Sequence, residues 1–566
     1  MDEADRVKTD GSYFYIATDK GVRIVNFQTP MQVVGSIDID GIIGELHLYK
    51  QVLAVLYTPW DGQGHPWSVV DRPPGGGGLG DTLAGLPYRL PVKVRSGVAL
   101  IDVSDPASPM MIRAEEVDGY LVSSRRIEEK LHLVQQFLPD LPPIRYWYDE
   151  QTALIDDIVA GNRNLLDKVP LSSLVPAYRT VFPGSGSDVE KQAVMPEHFY
   201  RPADGGSGGS IATVVTFDLD RPEEPFTSAA LIADANAVYA STKALYLFSG
   251  EWQTGAKVEQ RTAIHKLNLN GERARPAGAG RVNGWILNQF SAGEHEGVLR
   301  VATTTTSWDA GSTRSGNHVY CLEESDGDLR IVGKLENLAP GETLYSSRFI
   351  GRRGFLVTFE RIDPLFTLDL SDPSTPRMMG ELKVPGYSDY IHPWGQDHLI
   401  TLGKMVTEDQ YGNLYQRGIN LSVFDISDIQ QPVLVDALEI GGRGSISEAL
   451  WTHKAFTFRQ DDEGGLLTLP IDLYESDPSS GEPWAWGRYI SSGLYVYRLS
   501  ATPDNAFDLL GVVSTHRGGD DQTWGPAWTR GIFGETQVWA VTPTAVHTAR
   551  IADIEGTIQT VDLSTD

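Results

Sequence analysis

One pattern recurs nine times along the chain: an apolar, β-rich run, an acidic turn, and a second short β run. The copies begin at Gly21 (GVRIVNFQTPMQVVGSID), Gly97 (GVALIDVSDPASPMMIRAEEV), Ala212 (ATVVTFDLDRPEEPFTSAALI), Ala263 (AIHKLNLNGERARPAGAG) and Asn317 (NHVYCLEESDGDLRIVGKL). They continue at Leu365 (LFTLDLSDPSTPRMMGELKV), Leu421 (LSVFDISDIQQPVLVDALEI), Leu494 (LYVYRLSATPDNAFDLLGVVS) and Ala545 (AVHTARIADIEGTIQTVDL), the last two being the weakest. The runs alternate or are solidly β-branched, as half-buried and fully buried strands are. The turn has its own chemistry. In Asp102 to Pro106 (DVSDP) the Asp and Ser side chains can bond the turn backbone, and the proline stops the strand. Asp369 to Pro373 (DLSDP) repeats it closely, and Asp425 to Asp428 (DISD) repeats it without the proline.

Two more strand-like runs fill the space between copies, such as GELHLYK and QVLAVLY after the first, and TLYSSRFIG and GFLVTFE after the fifth. The triplet Ser123-Ser124-Arg125 matches Ser346-Ser347-Arg348 at the same phase. Each unit therefore reads as four strands, and four-strand units repeated radially make a β-propeller. The fold class expected is all-β: a single large propeller over 1–566 with eight or nine four-stranded blades. The count by eye is nine, and two chain ends sharing one blade would make it eight. Closure predicts that the first strands after Asp2 lie next to those before Asp566.

At about 63 residues per unit, these are longer than compact blades of ~40–50 residues, and three insertions account for the excess. Residues 59–96 form a loop carrying WDGQGHPW and the run Gly75–Gly78. Residues 138–208 are partly helical, with Leu154, Ile155, Ile158, Leu165 and Leu166 at helical spacing. Residues 460–491, with DDEGG and EPWAWGRY, form a third loop.

Composition narrows the partner class. Asp plus Glu number 75 against 47 Lys plus Arg, a net charge of −28, which argues against nucleic acid, since phosphate binding needs a basic footprint. The single cysteine, Cys321, excludes a disulfide framework, a cysteine zinc site and covalent c-type haem. No apolar run approaches the ~18 residues of a membrane span. The opening MDEADRVKTDG is acidic and polar, unlike a signal peptide.

The stretch from about Asn283 to Phe458 is the most specific part of the chain. GWILNQFSAGEHEGVLRVATTTT, APGETLYSSRFIGRRGFLVTFERIDPLFTLDLSDPSTPRMMGELKVPGYSDYIHPW and GGRGSISEALWTHKAFTF resemble the bacterial and archaeal secreted "beta propeller domain" family, distantly WD-repeat-like. The opening DEADRVKTDG is similar to openings found there. The DLSDPSTP and DVSDPASP turns resemble the Leu-Val-Ile-Val-Asp repeats of prokaryotic surface proteins. The resemblance covers most of the chain, least well over 138–200 and after about 460. It implies export to the periplasm, the cell surface or the medium, behind a signal or anchor absent from this sequence. It implies no established reaction and no catalytic residues.

Local catalytic motifs are missing. The nearest approaches to a nucleophile elbow, Gly184 to Ser187 and Gly442 to Ser447, lack the strand–turn–helix setting. The 12 histidines form no His-Glu-x-x-His or His-x-His pairing, Glu294-His295-Glu296 alternates across a strand, and His392 and His398 flank a Pro-Trp-Gly corner. No cofactor is expected. Structural calcium is possible in an acidic exported protein, with weak candidates at Asp326, Asp328, Asp461 and Asp462.

Propeller geometry supplies the binding expectation. First strands line the central channel, so their polar residues converge from distant positions. That phase holds Arg125, Asn288, Gln289, Arg348, His392 and Glu448, and a guanidinium there can fork onto a carboxylate, a ligand's or that of Glu448. Tryptophans in insertions and late loops (Trp60, Trp67, Trp484, Trp486, Trp524, Trp528) suit a sugar face or a protein partner. The functional expectation is a non-enzymatic exported binding or scaffold protein for a protein or carbohydrate partner. The rival is a hydrolase whose carboxylates or metal converge at the channel mouth.

Overall fold

The computed structural model describes residues 1–27, 30–60, 94–144, 155–181, 189–202, 209–253, 259–309, 312–359, 363–384, 386–409, 411–476, 485–515 and 528–564. Among them the chain forms nine antiparallel four-stranded units, each from one contiguous stretch: 7–38, 41–118, 120–231, 237–283, 285–338, 343–384, 387–440, 457–514 and 530–562, here blades 1 to 9. The nine repeats legible in the sequence are the third and fourth strands of these blades. The two weakest copies complete blades 8 and 9, and the chain ends do not share a blade, so nine replaces eight.

Alternation dictates where the apolar residues go. Blade strands bury one face against each neighbouring blade, and nine apolar clusters result, one per interface. The cluster of blades 7 and 8, for example, holds Ile400, Leu402, Leu421, Leu467, Leu469 and Tyr497. The ninth cluster closes the ring: Phe14, Ile16 and Val25 of blade 1 pack on Trp539, Val541 and Val546 of blade 9. Closure through side chains leaves every blade covered on both faces, without a strand exchanged between the ends.

The acidic turns are contacts between blades as well as turns. Asp102 Oδ1 accepts the Ser104 N–H at 2.8 Å and Asp105 Oδ1 that of Ala107 at 3.1 Å. The same double turn recurs at Asp369 and Asp372, and at Asp425 and Asp428. These bonds to the charged form hold the carboxyls of Asp102, Asp369 and Asp425 below their ordinary range. Each turn then presses on the outer strand of the blade before it. A Cβ on Gly35 of blade 1 would stand 2.0 Å from the carbonyl oxygen of Pro106, and one on Gly333 of blade 5 would stand 2.1 Å from that of Pro373. Glycine is required there by close backbone approach.

Within 138–208, the described strands clasp the outer edges of blades 2 and 3. Strand Ala177–Val181 pairs with Met110–Asp118 of blade 2, and Phe199–Tyr200 pairs in parallel with Thr227–Leu231 of blade 3. Ala193 and Val194 are buried in the core between the two blades. Edge strands that would otherwise be open are thereby covered. The expected helix exists as Ile155–Leu166 and buries nothing. Of the loop expected over 59–96, residues 61–93, with Gly75–Gly78, lie outside the described residues.

The stretch 460–491, read from sequence as a loop, is largely blade. Strands Gly464–Glu475 and Arg488–Leu499 are the long middle pair of blade 8. DDEGG is the tight hairpin that joins Thr457–Asp461 to it. Pro470 conceals the strand, since proline within an apolar run argues against a central strand, yet here it sits opposite Leu494.

Candidate functional site

First strands of successive blades lie side by side around the axis, and residues distant in sequence meet there. The N-terminal segment occupies part of this channel. Asp2–Glu3 adds an antiparallel strand to Tyr120–Ile127, the first strand of blade 3, with Asp2 opposite Arg126 and Glu3 opposite Arg125. Asp5 then exchanges backbone bonds with Leu46 of blade 2.

This segment neutralises most of the channel's cations. Lys8 Nζ lies 2.7 Å from Asp2 Oδ1, and Arg126 Nε 3.4 Å from Asp2 Oδ2. Arg125 Nη2 lies 3.1 Å from Glu3 Oε1, and Glu3 Oε2 lies 2.7 Å from His453 Nε2. Arg530, 5% exposed, is held between Asp5 Oδ1 at 2.7 Å and Glu448 Oε1 at 2.8 Å. Lys454 pairs with Glu45. Burial pushes the Glu3 carboxyl up, but the His453 hydrogen bond and the Arg125 charge override it, holding the group at about 2. Asp2 is likewise depressed, its burial outweighed by His47 and Lys8.

The six residues expected at this phase have separate fates. Arg125 and Gln289 meet directly across the channel. Asn288 caps the short 3₁₀ turn Gln289–Ser291, its side chain accepting the Phe290 N–H at 2.9 Å. Glu448 is bound by Arg530 and by the Thr529 N–H at 2.9 Å, and by neither of the arginines singled out from sequence. Arg348 stacks over Phe290, 4.6 Å from the ring centroid. His392 lies beside it, its Nδ1 3.2 Å from the Tyr390 hydroxyl and its ring 4.9 Å from that of Phe456 and 5.5 Å from that of Phe458. Burial, reinforced by the Arg348 charge, pushes His392 down to about 4.

Sequence reasoning missed Asp2, Glu3, Asp5, His47, His453 and Arg530. The available signal was the density of charge in DEADR, which is high for a segment entering a strand.

Two arrangements resemble catalytic machinery. His47 Nε2 lies 3.0 Å from Ser124 Oγ, and its Nδ1 lies 3.5 Å from Asp2 Oδ2, the connectivity of an acyl-transfer triad. Ser124 is 4% exposed and His47 fully buried, however, so no substrate reaches the hydroxyl. The corresponding Ser347 of blade 6 bonds Ser291 at 2.8 Å in the same buried layer, a structural role. The second is Asp389, in a bulge of the first strand of blade 7. Burial raises its carboxyl to about 7, partly offset by Lys404, while burial lowers Lys404 to about 8 against the pull of Asp389. The Lys404 ammonium donates to the Ser445 carbonyl.

Among the described residues, no three His, Cys, Asp or Glu side chains stand close enough to hold a metal ion. The calcium candidates lie in two exposed hairpins. Asp326 occupies a left-handed hairpin turn with φ 55°, Asp328 pairs with Arg330, and Asp461 pairs with Arg498. Asp462 ends the same hairpin. His392 and His398 do not meet across their corner, and His398 packs on Trp394. Trp60 and Trp486 are exposed, Trp528 is buried, and Trp67, Trp484 and Trp524 lie outside the described residues.

The sequence profile described as "Beta propeller domain" matches residues 1–554. The chain belongs to this family. An uncharacterised protein of Methanocaldococcus jannaschii is 37% identical over 213 residues, 37% of this chain and 30% of that protein. An uncharacterised protein of Archaeoglobus fulgidus is 37% identical over 215 residues, 38% of this chain and 30% of that one. The aligned region thus spans less than a third of each relative's length. Among solved structures, Hsv2 of Kluyvelomyces marxianus is 10% identical, covering 78% of this chain and 99% of that one, with a TM-score of 0.32. A eukaryotic initiation factor is 8% identical, covering 89% and 96%, with a TM-score of 0.33. At such scores no property passes from either to this propeller. Among the described residues, no helix is long and apolar enough to cross a membrane.

Proposed function

We propose that this propeller is an exported, non-enzymatic binding or scaffold protein, presenting its loops and channel mouth to a protein or glycan partner. The observation that carries this reading is the saturation of the N-terminal side of the channel: among the described residues, Asp2, Glu3, Asp5 and Glu448 are committed to the protein's own cations, and the triad-like set of His47, Ser124 and Asp2 is sealed. An enzyme needs such groups poised at an accessible pocket. Exposed Trp60 and Trp486, the latter with the Arg443 guanidinium 4.9 Å from its ring, suit stacking on a sugar or a partner surface. Export accords with the acidity and the family resemblance.

Probing glycan and peptide arrays tests the binding half. A bound class is expected to be lost in Trp486→Ala or Trp60→Ala while the melting temperature is unchanged. Cell fractionation tests the other half, and a cytosolic location would end it.

The rival hydrolase reading has one observation in its favour, the Asp389 carboxyl near neutrality beside a depressed lysine. Turnover of any ester, glycoside, phosphoester or peptide in a substrate panel, abolished by Asp389→Asn, would replace the binding reading with this one.

A further inference from the structure

The cations of the channel divide into two groups. Lys8, Arg125, Arg126, Lys454 and Arg530 each face a carboxylate of the protein itself. Arg348 is different. Among the described residues it makes neither an ion pair nor a hydrogen bond, and it is half-buried with its guanidinium laid on the face of Phe290. In a chain with 28 net negative charges, a first-strand guanidinium with neither an acid nor a carbonyl to bond is the exception: Arg459 of blade 8, which also lacks an acid, donates to the Gly534 carbonyl. Stacking on Phe290 fixes its plane and leaves its N–H edges free, the geometry that recognises a carboxylate through two parallel bonds.

The surroundings say what the carboxylate is attached to. Tyr390, His392, Phe456 and Phe458 form a continuous aromatic cluster between blades 7 and 8, with neighbouring centroids 4.9 to 6.0 Å apart; Tyr390 and Phe456 are buried in that core, and His392 and Phe458 are half-buried. The charge of Arg348 reaches both Tyr390 and His392. His392 is uncharged at neutral pH, so it adds a hydrogen-bonding edge and no second positive charge. A phosphate dianion needs more cation than this. A monoanion with a flat body matches one guanidinium beside flat rings.

We propose that Arg348 anchors a small aromatic carboxylate in the channel on the side of blades 5 to 7, forked onto its two oxygens, with the ring of the ligand against the half-buried His392 and Phe458. This goes beyond the partner-binding reading and holds whether or not a macromolecular partner exists.

The test is calorimetric titration of the full chain with benzoate at neutral pH and low salt. Binding in the range of ~0.1–1 mM is expected, as for a ligand of this size held by one charged pair. Arg348→Met should weaken it at least tenfold. Arg348→Lys, which keeps the charge and loses the fork, should fall between. Benzamide, of the same shape without the charge, should not compete. Absence of benzoate binding, or equal binding by Arg348→Met, overturns the proposal. Acetate or inorganic phosphate binding as tightly as benzoate overturns the aromatic assignment. If Arg348→Met fails to fold, phenylglyoxal modification of the unaltered protein decides, read by peptide mass spectrometry. Benzoate should slow modification of Arg348 at least threefold and leave the exposed Arg352 unaffected, and an Arg348 rate unchanged by benzoate would refute the site.

Discussion

The two sides of the central channel are built from the same strand position of the same repeat, yet they hold charge in opposite ways. On the side of blades 2, 3 and 9, the N-terminal strand threads Asp2, Glu3 and Asp5 among Lys8, Arg125, Arg126 and Arg530, and every charge has a partner. On the side of blades 5 to 7, Arg348 rests on Phe290 and His392 is kept neutral among aromatic rings. The repeat supplies a polar inner strand, and what that strand does depends on which segment happens to face it. A saturated network stabilises one arrangement, whereas an open guanidinium leaves room for a ligand.

The contrast can be broken by substitution. The largest effect is expected from Arg530→Met, which leaves Glu448 and Asp5 facing each other without their cation. Breaking such a buried set by removing one partner typically costs ~3–5 kcal/mol, and denaturant melts should show it. Glu3→Gln comes next. It should cost ~1–3 kcal/mol at neutral pH, the range for hydrogen bonds to charged groups, and should flatten the acid limb of the stability curve. The sign follows from the depressed carboxyl. Its folded value of about 2 lies below the ordinary glutamate value, so its contribution is present in full above ~4.3 and is lost as pH falls towards 2. An acid limb unchanged in the variant would mean that the N-terminal strand is not held by this charge.

Asp389→Asn should act in the opposite direction. The folded value of about 7 is raised, so ionisation of Asp389 erodes stability as pH rises from ~4 to 7 and levels off above. The variant should melt higher than the parent at pH 8, by an amount on the order of 1 kcal/mol, and equally at pH 4. The smallest effect belongs to Arg348→Met. With only a cation–π contact to lose, it should cost less than ~1 kcal/mol. A loss as large as that of Arg530→Met would erase the distinction between the two sides.

Much of the architecture was legible because repetition is a property of the chain itself. The nine repeats, most with an acidic turn, marked the third and fourth strands of nine blades, and glycines such as Gly35 and Gly333 mark where those turns press on the preceding blade. The reading failed where local signals conflicted, as in 460–491, where Pro470 and the flanking DDEGG and EPWAWG concealed a long strand pair. At the site, phase placed Arg125 and Gln289 on the same channel without pairing them, and the structure joins them. Phase could not assign Glu448 to Arg530, because both residues sit at comparable phases of different blades and their pairing is set by ring geometry.

By itself the sequence determined the four-strand unit, its repetition to eight or nine blades, the apolar alternation that fills each interface and the excess of acid that disfavours nucleic acid. These are local or periodic properties, fixed by strand alternation and turn chemistry. Only the tertiary structure decided that the ring closes through Phe14 and Trp539, that residues 2–5 enter the channel, and which cations they neutralise. Such contacts join residues as far apart as Asp5 and Arg530, and the ring that makes them neighbours exists only once all nine blades have packed.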